Sequence, residues 1–245
     1  MSAVRTGLRV PALLACLAAA GATPRPEAAR QAVSLRTADG VTIAAELRQP
    51  SARPAPAVIL VHMLARTRED WAAAAERLSD AGLLVLAIDL RGHGASGVAA
   101  QSPADAEDMS ASVLDVRAAR LFLSGRPDLC SGRIGIAGAQ VGANLAVLTA
   151  ASDPLVSSIA LLSPGMDYRR LRPEAAMKKY NERPALILAS SEDAYASRSA
   201  RDLATMGTGI RDFRLLNGAG HGTAMLARQP DLIGLLVDWF RRTLI

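Results

Sequence analysis

Short, fully apolar runs alternate with helix-length amphipathic segments through most of this sequence, and this pattern constrains the fold more than any other feature. Strands that are buried on both faces of a sheet are apolar at every residue, and helices usually connect them. Five runs are of this kind, at 57–61, 83–88, 134–137, 159–162 and 185–189. The alternation predicts one α/β domain with a mostly parallel, doubly wound sheet.

The remaining segments predict the edges of the sheet and its helices. Residues 33–36 and 41–47 flank Asp39 and Gly40, a pair that supports the positive φ angles of a tight turn, so an opening hairpin is expected. Residues 213–216 predict the last strand. Thr67 is expected to cap the first helix, with Asp70 as the second member of a weak capping box. Helices are expected at 68–80, 109–123, 141–151, 194–206 and 231–244.

The N-terminus has the features of an export signal. Arg5 and Arg9 precede an apolar run at 10–20 that is too short to span a bilayer, and small residues follow it. We expect a signal peptide at 1–22, a linker at 23–32 and the α/β domain at 33–245, and hence a periplasmic or secreted protein. Two alternatives stay open: a lipoprotein in which a lipidated Cys16 holds the protein to a membrane, and an unprocessed N-terminal tail.

Charge and composition exclude several classes of function. The formal net charge of +5 comes from arginines scattered along the chain, so no nucleic-acid-binding face is expected. The three histidines and two cysteines form no C-x-x-C or His-x-x-x-His pattern, and we expect no metal site and no cofactor. If the signal peptide is removed, Cys130 is the one cysteine left, so an internal disulfide cannot form.

Polar residues follow the predicted strands, and the loops at the carboxyl ends of parallel strands meet at one edge of a sheet. His62 and Met63 follow the first buried strand, and residues 89–96 follow the second. The sequence Gly-Ala-Gln-Val-Gly at 138–142 follows the third strand and opens a helix. Asp193 follows the fifth, and His221 lies in a glycine-rich loop after the last strand.

In the order and context of these motifs, residues 33–245 resemble the α/β-hydrolase superfamily. The resemblance is greatest to the compact serine hydrolases near the dienelactone hydrolases and serine aminopeptidases, because residues 166–183 leave room only for a short lid. It implies an α/β-hydrolase fold, with helices on both faces of the sheet, and an ester or amide hydrolase ancestry. It also implies that 138–142 corresponds to the nucleophile elbow G-x-S-x-G, with Asp193 as the acid and His221 as the general base. The implied oxyanion hole would use the backbone N–H groups of Val141 and of Met63 or Leu64.

The chain departs from that pattern at the nucleophile position. Gln140 stands in place of the serine, although Gly138 and Gly142 remain and favour the tight turn. No other G-x-S-x-G occurs in the sequence. A carboxamide is a poor nucleophile and gives a histidine no useful proton, so covalent acyl transfer is expected to fail. Glu192, next to Asp193, remains the alternative acid.

Three functions are compatible with these residues. The first is an exported pseudoenzyme that binds a small-molecule acyl ligand or a protein partner. The second is an active hydrolase in which His221, oriented by Asp193, activates a water that Gln140 helps to position. The third is a noncatalytic envelope protein. We expect the other polar loop residues, namely His62, His93, Asp89 and Arg91, to hold loops, and the arginine-rich segment 168–172 to be a solvated surface.

Overall fold

The computed structural model describes residues 29–97 and 107–245, whose strands form one eight-stranded sheet. The strands are β1 (Ala29–Arg36), β2 (Thr42–Gln49), β3 (Ala55–Val61), β4 (Leu84–Ile88), β5 (Leu129–Ala139), β6 (Val156–Leu162), β7 (Ala185–Ser190) and β8 (Arg211–Leu216). Their order is β1-β2-β4-β3-β5-β6-β7-β8. The pairs β1–β2 and β2–β4 are antiparallel and the other pairs are parallel, which confirms the predicted mostly parallel sheet.

The helices are α1 (Ala72–Asp80), α2 (Val113–Ser124), α3 (Val141–Ser152), α4 (Glu174–Tyr180), α5 (Ala194–Ala204), α6 (Ala224–Arg228) and α7 (Asp231–Leu244). Short 3₁₀ turns, Arg68–Trp71 and Ser110–Ser112, precede α1 and α2. The five helices expected from the sequence are therefore present, whereas α4 and α6 were not expected. In the ranges that the structure describes, no helix has the length and apolarity to cross a membrane.

The sheet carries a hydrophobic core on each face because its central strands alternate their side chains between the two. On β3, Ile59 and Val61 belong to the core that also contains residues of α2, α3 and α5. Val58 and Leu60 belong to the opposite core, which contains residues of α1, α6 and α7. Every residue of β3, β4 and β7 is buried, as the fully apolar runs predicted. Because β3 to β8 run parallel, their carboxyl ends lie at one edge of the sheet, where the polar loops begin.

The opening hairpin forms, but it is longer than the prediction. Strand β1 begins at Ala29, so residues 29–32 are strand and the expectation of a linker there was wrong. These residues carry no apolar signal, and backbone pairing with β2 together with an ion pair between Arg30 and Glu46 at 2.8 Å keeps them in the sheet. The predicted signal peptide, Cys16 and the rest of the linker lie outside the described residues.

The predicted capping box at the first helix does not form. The Thr67 hydroxyl caps the turn by accepting the N–H of Glu69 at 3.4 Å. Asp70 instead accepts from Arg66 at 2.7 Å and from the Thr223 hydroxyl, because a guanidinium is a stronger partner for a carboxylate than a backbone amide. The contact with Thr223 ties this turn to the loop that carries His221.

Candidate active site

Gln140 lies in the sharp turn between β5 and α3. Its φ of +52° and ψ of −111° form a combination that residues with a side chain rarely adopt. The backbone N–H of Gln140 donates to Leu162 O at 2.9 Å, and its carbonyl accepts the N–H of Ala143 at 3.0 Å as α3 begins. Backbone hydrogen bonds therefore hold the turn whatever side chain stands at this position.

Two glycines make this turn sterically possible. A Cβ at Gly138 would lie 2.7 Å from Ala143 N, and a Cβ at Gly142 would lie 2.6 Å from His62 O. Both obstacles are backbone atoms that cannot rotate away. Gly138 and Gly142 therefore let α3 start directly beside β3 and β5, which is the local geometry expected from the motif at 138–142.

The loop after β3, which contains Met63 and Leu64, holds the side chain of Gln140. The N–H of Leu64 donates to Gln140 Oε1 at 3.0 Å. The NH₂ group of a glutamine side chain donates and does not accept, so this contact assigns the oxygen end of the amide to Leu64. Among the described residues, the Nε2 end has no hydrogen-bond partner. The side-chain carbonyl of Gln140 therefore occupies the position beside Leu64 where the sequence predicted half of an oxyanion hole.

Val141 and Met63, the other expected oxyanion-hole residues, are the chain neighbours of Gln140 and Leu64 respectively. The N–H of Val141 is in the first turn of α3, where a helix offers no internal acceptor. The thioether of Met63 packs against Gly222, in the loop that carries His221. A Cβ at Gly222 would collide with Met63 Sδ. Leu64, rather than Met63, has its backbone N–H directed at the side chain of residue 140.

Asp193 and His221 are joined by a hydrogen bond at the ends of β7 and β8. Asp193 caps α5, with Oδ1 accepting the N–H of Ala196 at 3.0 Å, and its Oδ2 accepts from His221 Nδ1. A carboxylate only accepts, so Nδ1 carries the proton and Nε2 is left available. Glu192 accepts instead from the Ser190 hydroxyl at 2.8 Å and from Gly220 N–H at 3.3 Å. The partner of His221 is thus Asp193.

The loop carrying His221 is anchored next to the elbow. Gly222 N–H donates to the Ser163 hydroxyl at 3.0 Å, at the end of β6, which pairs with β5. Ser163 has a φ of +49° and is completely buried, and its hydroxyl donates to Met225 Sδ at 3.5 Å. Because Ser163 is completely buried and its hydroxyl both donates and accepts a hydrogen bond, Ser163 is not a substitute nucleophile.

Sequence reasoning missed how the lid is arranged. Tyr168 stands edge-on to His221, with ring centroids 6.4 Å apart and planes at 88°. Its hydroxyl is buried without a hydrogen-bond partner among the described residues, and burial, followed by the charge of Asp193, raises its pKa. Asn144 of α3 fastens this segment by donating to Gly165 O at 2.8 Å and to Leu171 O at 2.7 Å. An asparagine within the apolar first half of α3 was the available signal for this anchor.

The two other histidines hold loops, as expected. His62 is completely buried; its Nδ1 contacts Met63 O at 2.7 Å and its Nε2 accepts the N–H of Leu90 at 2.9 Å. Burial lowers the pKa of His62 to about 4, so the ring is neutral at neutral pH. His93 accepts the N–H of Ala65 at 3.2 Å. Both rings therefore contact the loop after β3 next to Leu64, at Met63 and at Ala65.

Charged residues around the site pair with one another. Asp89 accepts the N–H of Arg68 at 2.8 Å, and Arg91 bridges Asp115 at 2.8 Å and Asp39 at 2.7 Å. In the lid, Arg172 pairs with Asp167 at 2.6 Å while its side chain remains 74% exposed. These contacts agree with the expectation of loop-holding residues below the site and a solvated charged surface above it.

Comparisons with known proteins identify the family. A family model described as "Serine aminopeptidase, S33" matches residues 52–190. Over 211 residues the chain is 26% identical to a carboxymethylenebutenolidase of Pseudomonas putida, covering 79% of this chain and 86% of that protein. Its fold is similar to a dienelactone hydrolase from Anabaena variabilis, with a TM-score of 0.71, 21% identity and coverage of 89% of this chain and 100% of the other.

A second solved structure has the same architecture. Est1E from Butyrivibrio proteoclasticus, solved with ferulic acid bound, has a TM-score of 0.73 and 18% identity, and the match covers 86% of this chain and 98% of that one. These likenesses confirm the α/β-hydrolase fold expected from the sequence. Since the family model matches more than half of the chain, the chain belongs to the serine aminopeptidase S33 family of α/β hydrolases.

Proposed function

We propose that this protein binds a small acyl compound on an α/β-hydrolase scaffold without performing serine-based acyl transfer. The observation that carries the proposal is the placement of Gln140 in the strained turn between β5 and α3, where the family pattern has its serine. The hydrogen bond from Leu64 holds the carboxamide inside the site. The similarity to a carboxymethylenebutenolidase supports a small ester or lactone as the ligand class.

The chemistry of the carboxamide is the reason for proposing lost acyl transfer. A serine hydroxyl gives its proton to histidine as it attacks a carbonyl, whereas the nitrogen of an amide has its lone pair delocalised and forms no comparable nucleophile. Loss of the nucleophile from a working triad costs on the order of 10⁶ in turnover. We accordingly class the protein as a pseudoenzyme of ester-hydrolase or amide-hydrolase ancestry.

A second candidate function is hydrolysis by a water that His221 activates. The hydrogen bond from His221 to Asp193, which leaves Nε2 available, favours this candidate. The contact between Leu64 and Gln140 disfavours it, because a substrate carbonyl would find that donor already engaged. We therefore rank it second.

Fluorophosphonate labelling and an ester and amide substrate panel on the wild-type protein distinguish these functions. Neither labelling nor turnover supports the proposed binding protein. Turnover without labelling supports hydrolysis by an activated water. Labelling at a serine would overturn the proposal, because it would reveal a nucleophile outside the elbow.

We also propose that the protein is exported, on the strength of residues 1–22. Cleavage near Thr23 would leave β1 complete, since that strand begins at Ala29. Mass analysis of the N-terminus of protein recovered from its host tests this. A start near Thr23 indicates a secreted or periplasmic protein, and a lipid-modified Cys16 indicates a lipoprotein held at a membrane. An intact Met1 on the mature protein would contradict export.

A further inference from the structure

Gln140 places an amide carbonyl of the protein itself inside the candidate active site. Its Oε1 accepts the N–H of Leu64 at 3.0 Å. A carbonyl oxygen that accepts a hydrogen bond is polarised, and the same N–H can stabilise the negative charge that appears on the oxygen when a nucleophile adds to the carbon. The hydrogen bond therefore makes Gln140 Cδ more electrophilic, as hydrolysis of the amide requires.

A base lies on the same edge of the sheet. The Asp193 carboxylate holds the Nδ1–H of His221, which orients the ring and leaves the lone pair of Nε2 free to take a proton. The side chain of His221 is 35% exposed, so water reaches the ring. Within the described residues, Nε2 makes no hydrogen bond.

Contacts between loops connect the segment that carries this base to the turn that carries Gln140. Gln140 N–H donates to Leu162 O at 2.9 Å, and the next residue, Ser163, accepts the N–H of Gly222 at 3.0 Å. Gly222 follows His221 directly and packs against Met63, the neighbour of Leu64. The turn at Gln140, the loop after β3 and the loop that carries His221 are thus connected to one another by these contacts.

We propose that Gln140 is a self-modification site, at which the protein hydrolyses its own carboxamide to glutamate and releases ammonia. The proposal requires the Asp193–His221 pair to act as a base towards water, which is the chemistry of the second candidate function, and it does not depend on the binding of an acyl ligand. His221 Nε2 takes a proton from a water molecule while the water oxygen bonds to Gln140 Cδ. The electron pair of the carbonyl moves onto Oε1, where the Leu64 N–H stabilises it.

The intermediate collapses by breaking the bond between Cδ and Nε2. The imidazolium returns its proton to the departing nitrogen, so ammonia leaves, His221 is neutral again and a carboxylic acid remains at position 140. Water is the only co-reactant, and nothing is oxidised or reduced. The new carboxylate can keep the hydrogen bond from Leu64, because an oxygen still faces that N–H group.

Other glutamines of the chain provide internal references for the experiment. Gln31 and Gln49 lie in β1 and β2, and Gln229 lies between α6 and α7 with its Nε2 donating to Asn217 O at 2.6 Å. In the described part of the chain, none of these three glutamines forms a hydrogen bond with a histidine. Their deamidation therefore reports the uncatalysed background in the same sample.

The test is peptide mapping by mass spectrometry after the full-length protein is incubated in water enriched in heavy oxygen. We expect a glutamate carrying one heavy oxygen to accumulate at position 140 roughly 10²-fold faster than at the three reference glutamines, a factor typical of general-base catalysis. In His221→Ala the rate at position 140 should fall to the background. A fresh wild-type sample that already has glutamate there, beside an unmodified His221→Ala sample, also supports the proposal.

Deamidation at position 140 no faster than at the reference glutamines overturns the proposal, and so does an equal rate in folded His221→Ala. If that variant does not fold, the comparison within the wild-type protein still decides. Fluorophosphonate labelling of the same wild-type sample separates the two claims. An unlabelled protein that does not deamidate keeps the proposed function and loses this inference, whereas a labelled protein loses the proposed function.

Discussion

At the scale of single residues, Gln140 has the backbone of a sharp strand-to-helix turn and carries a carboxamide side chain, for which we propose a loss of serine-type chemistry. A φ of +52° costs of order 1–3 kcal/mol for a residue with a side chain, and the turn, the two glycines and the backbone hydrogen bonds provide the context that sustains it. None of these features depends on a hydroxyl group. The chemistry at this position is therefore separable from the fold, and it can be tested by substitution.

Asp193→Asn should change the ring of His221 without weakening the fold. Asparagine keeps an oxygen to cap α5, so we expect the free energy of unfolding to stay within about 0.5 kcal/mol of the wild type. The asparagine amide N–H groups favour a ring whose Nδ1 accepts, so the proton should move to Nε2. Nitrogen NMR of the imidazole reads the tautomer. An unchanged tautomer together with a large drop in Tm would mark Asp193 as purely structural.

His62 makes stability depend on pH in a defined window. Burial lowers its folded-state pKa to about 4 from an unfolded value of 6.5, so below pH 6.5 the unfolded chain binds the extra proton first. The neutral ring makes its full contribution to the free energy of unfolding above pH 6.5. This contribution falls as the pH drops from 6.5 towards 4, by ~3 kcal/mol in total.

Urea unfolding of the wild type and His62→Gln from pH 7 to pH 4 isolates this contribution, because both proteins share the same carboxylates. The wild type should lose more stability on acidification than the variant. Parallel losses in the two proteins would show that His62 is not held neutral in the folded state.

At the scale of elements, the start of α3 depends on the closeness of helix and strand. Gly142→Ala would place a Cβ 2.6 Å from His62 O, so α3 must move away from β3, and we expect a loss of about 2–3 kcal/mol. Gly234→Ala in α7 is the matched control, because a Cβ there meets nothing within 4 Å. That change should stabilise the protein by about 0.5–1 kcal/mol. Urea unfolding that ranks the two variants in the opposite order would contradict the described packing.

Elements differed in how well they could be predicted, for physical reasons. The central strands are buried on both faces, so an unbroken apolar run marked them, and the helices that face the sheet showed helical spacing. Helices α4 and α6 have only 7 and 5 residues, too few for a periodic pattern to stand out. Strand β1 extends through residues whose place in the sheet depends on a partner strand distant in sequence.

At the scale of the whole molecule, the parallel arrangement of six strands, β3 to β8, brings the residues that follow them to one edge of the sheet. The sequence order of the motifs was enough to predict that Gln140, Asp193 and His221 follow strands at this edge, because the family fold determines where each strand ends, and Asp193 and His221 form a hydrogen bond there. The hydrogen bond between Leu64 and Gln140 and the edge-on contact of Tyr168 with His221 were not predictable. They depend on side-chain rotamers and on loop packing, which leave no pattern in a single sequence.

The proposed function implies that one side chain, that of Gln140, separates this protein from a serine hydrolase. Gln140→Ser would remove the carboxamide, free the Leu64 N–H and put a hydroxyl on the strained turn beside the Asp193–His221 pair. Gln229→Ser, at a site between α6 and α7, is the matched control.

The decisive measurement is fluorophosphonate labelling and hydrolysis of short activated esters by Gln140→Ser, Gln229→Ser and the wild type side by side. We predict labelling and turnover in Gln140→Ser alone, at least 10²-fold above the other two even if the oxyanion hole is incomplete. A folded Gln140→Ser protein that neither labels nor hydrolyses any ester would contradict the claim, and so would a wild type as active as the serine variant.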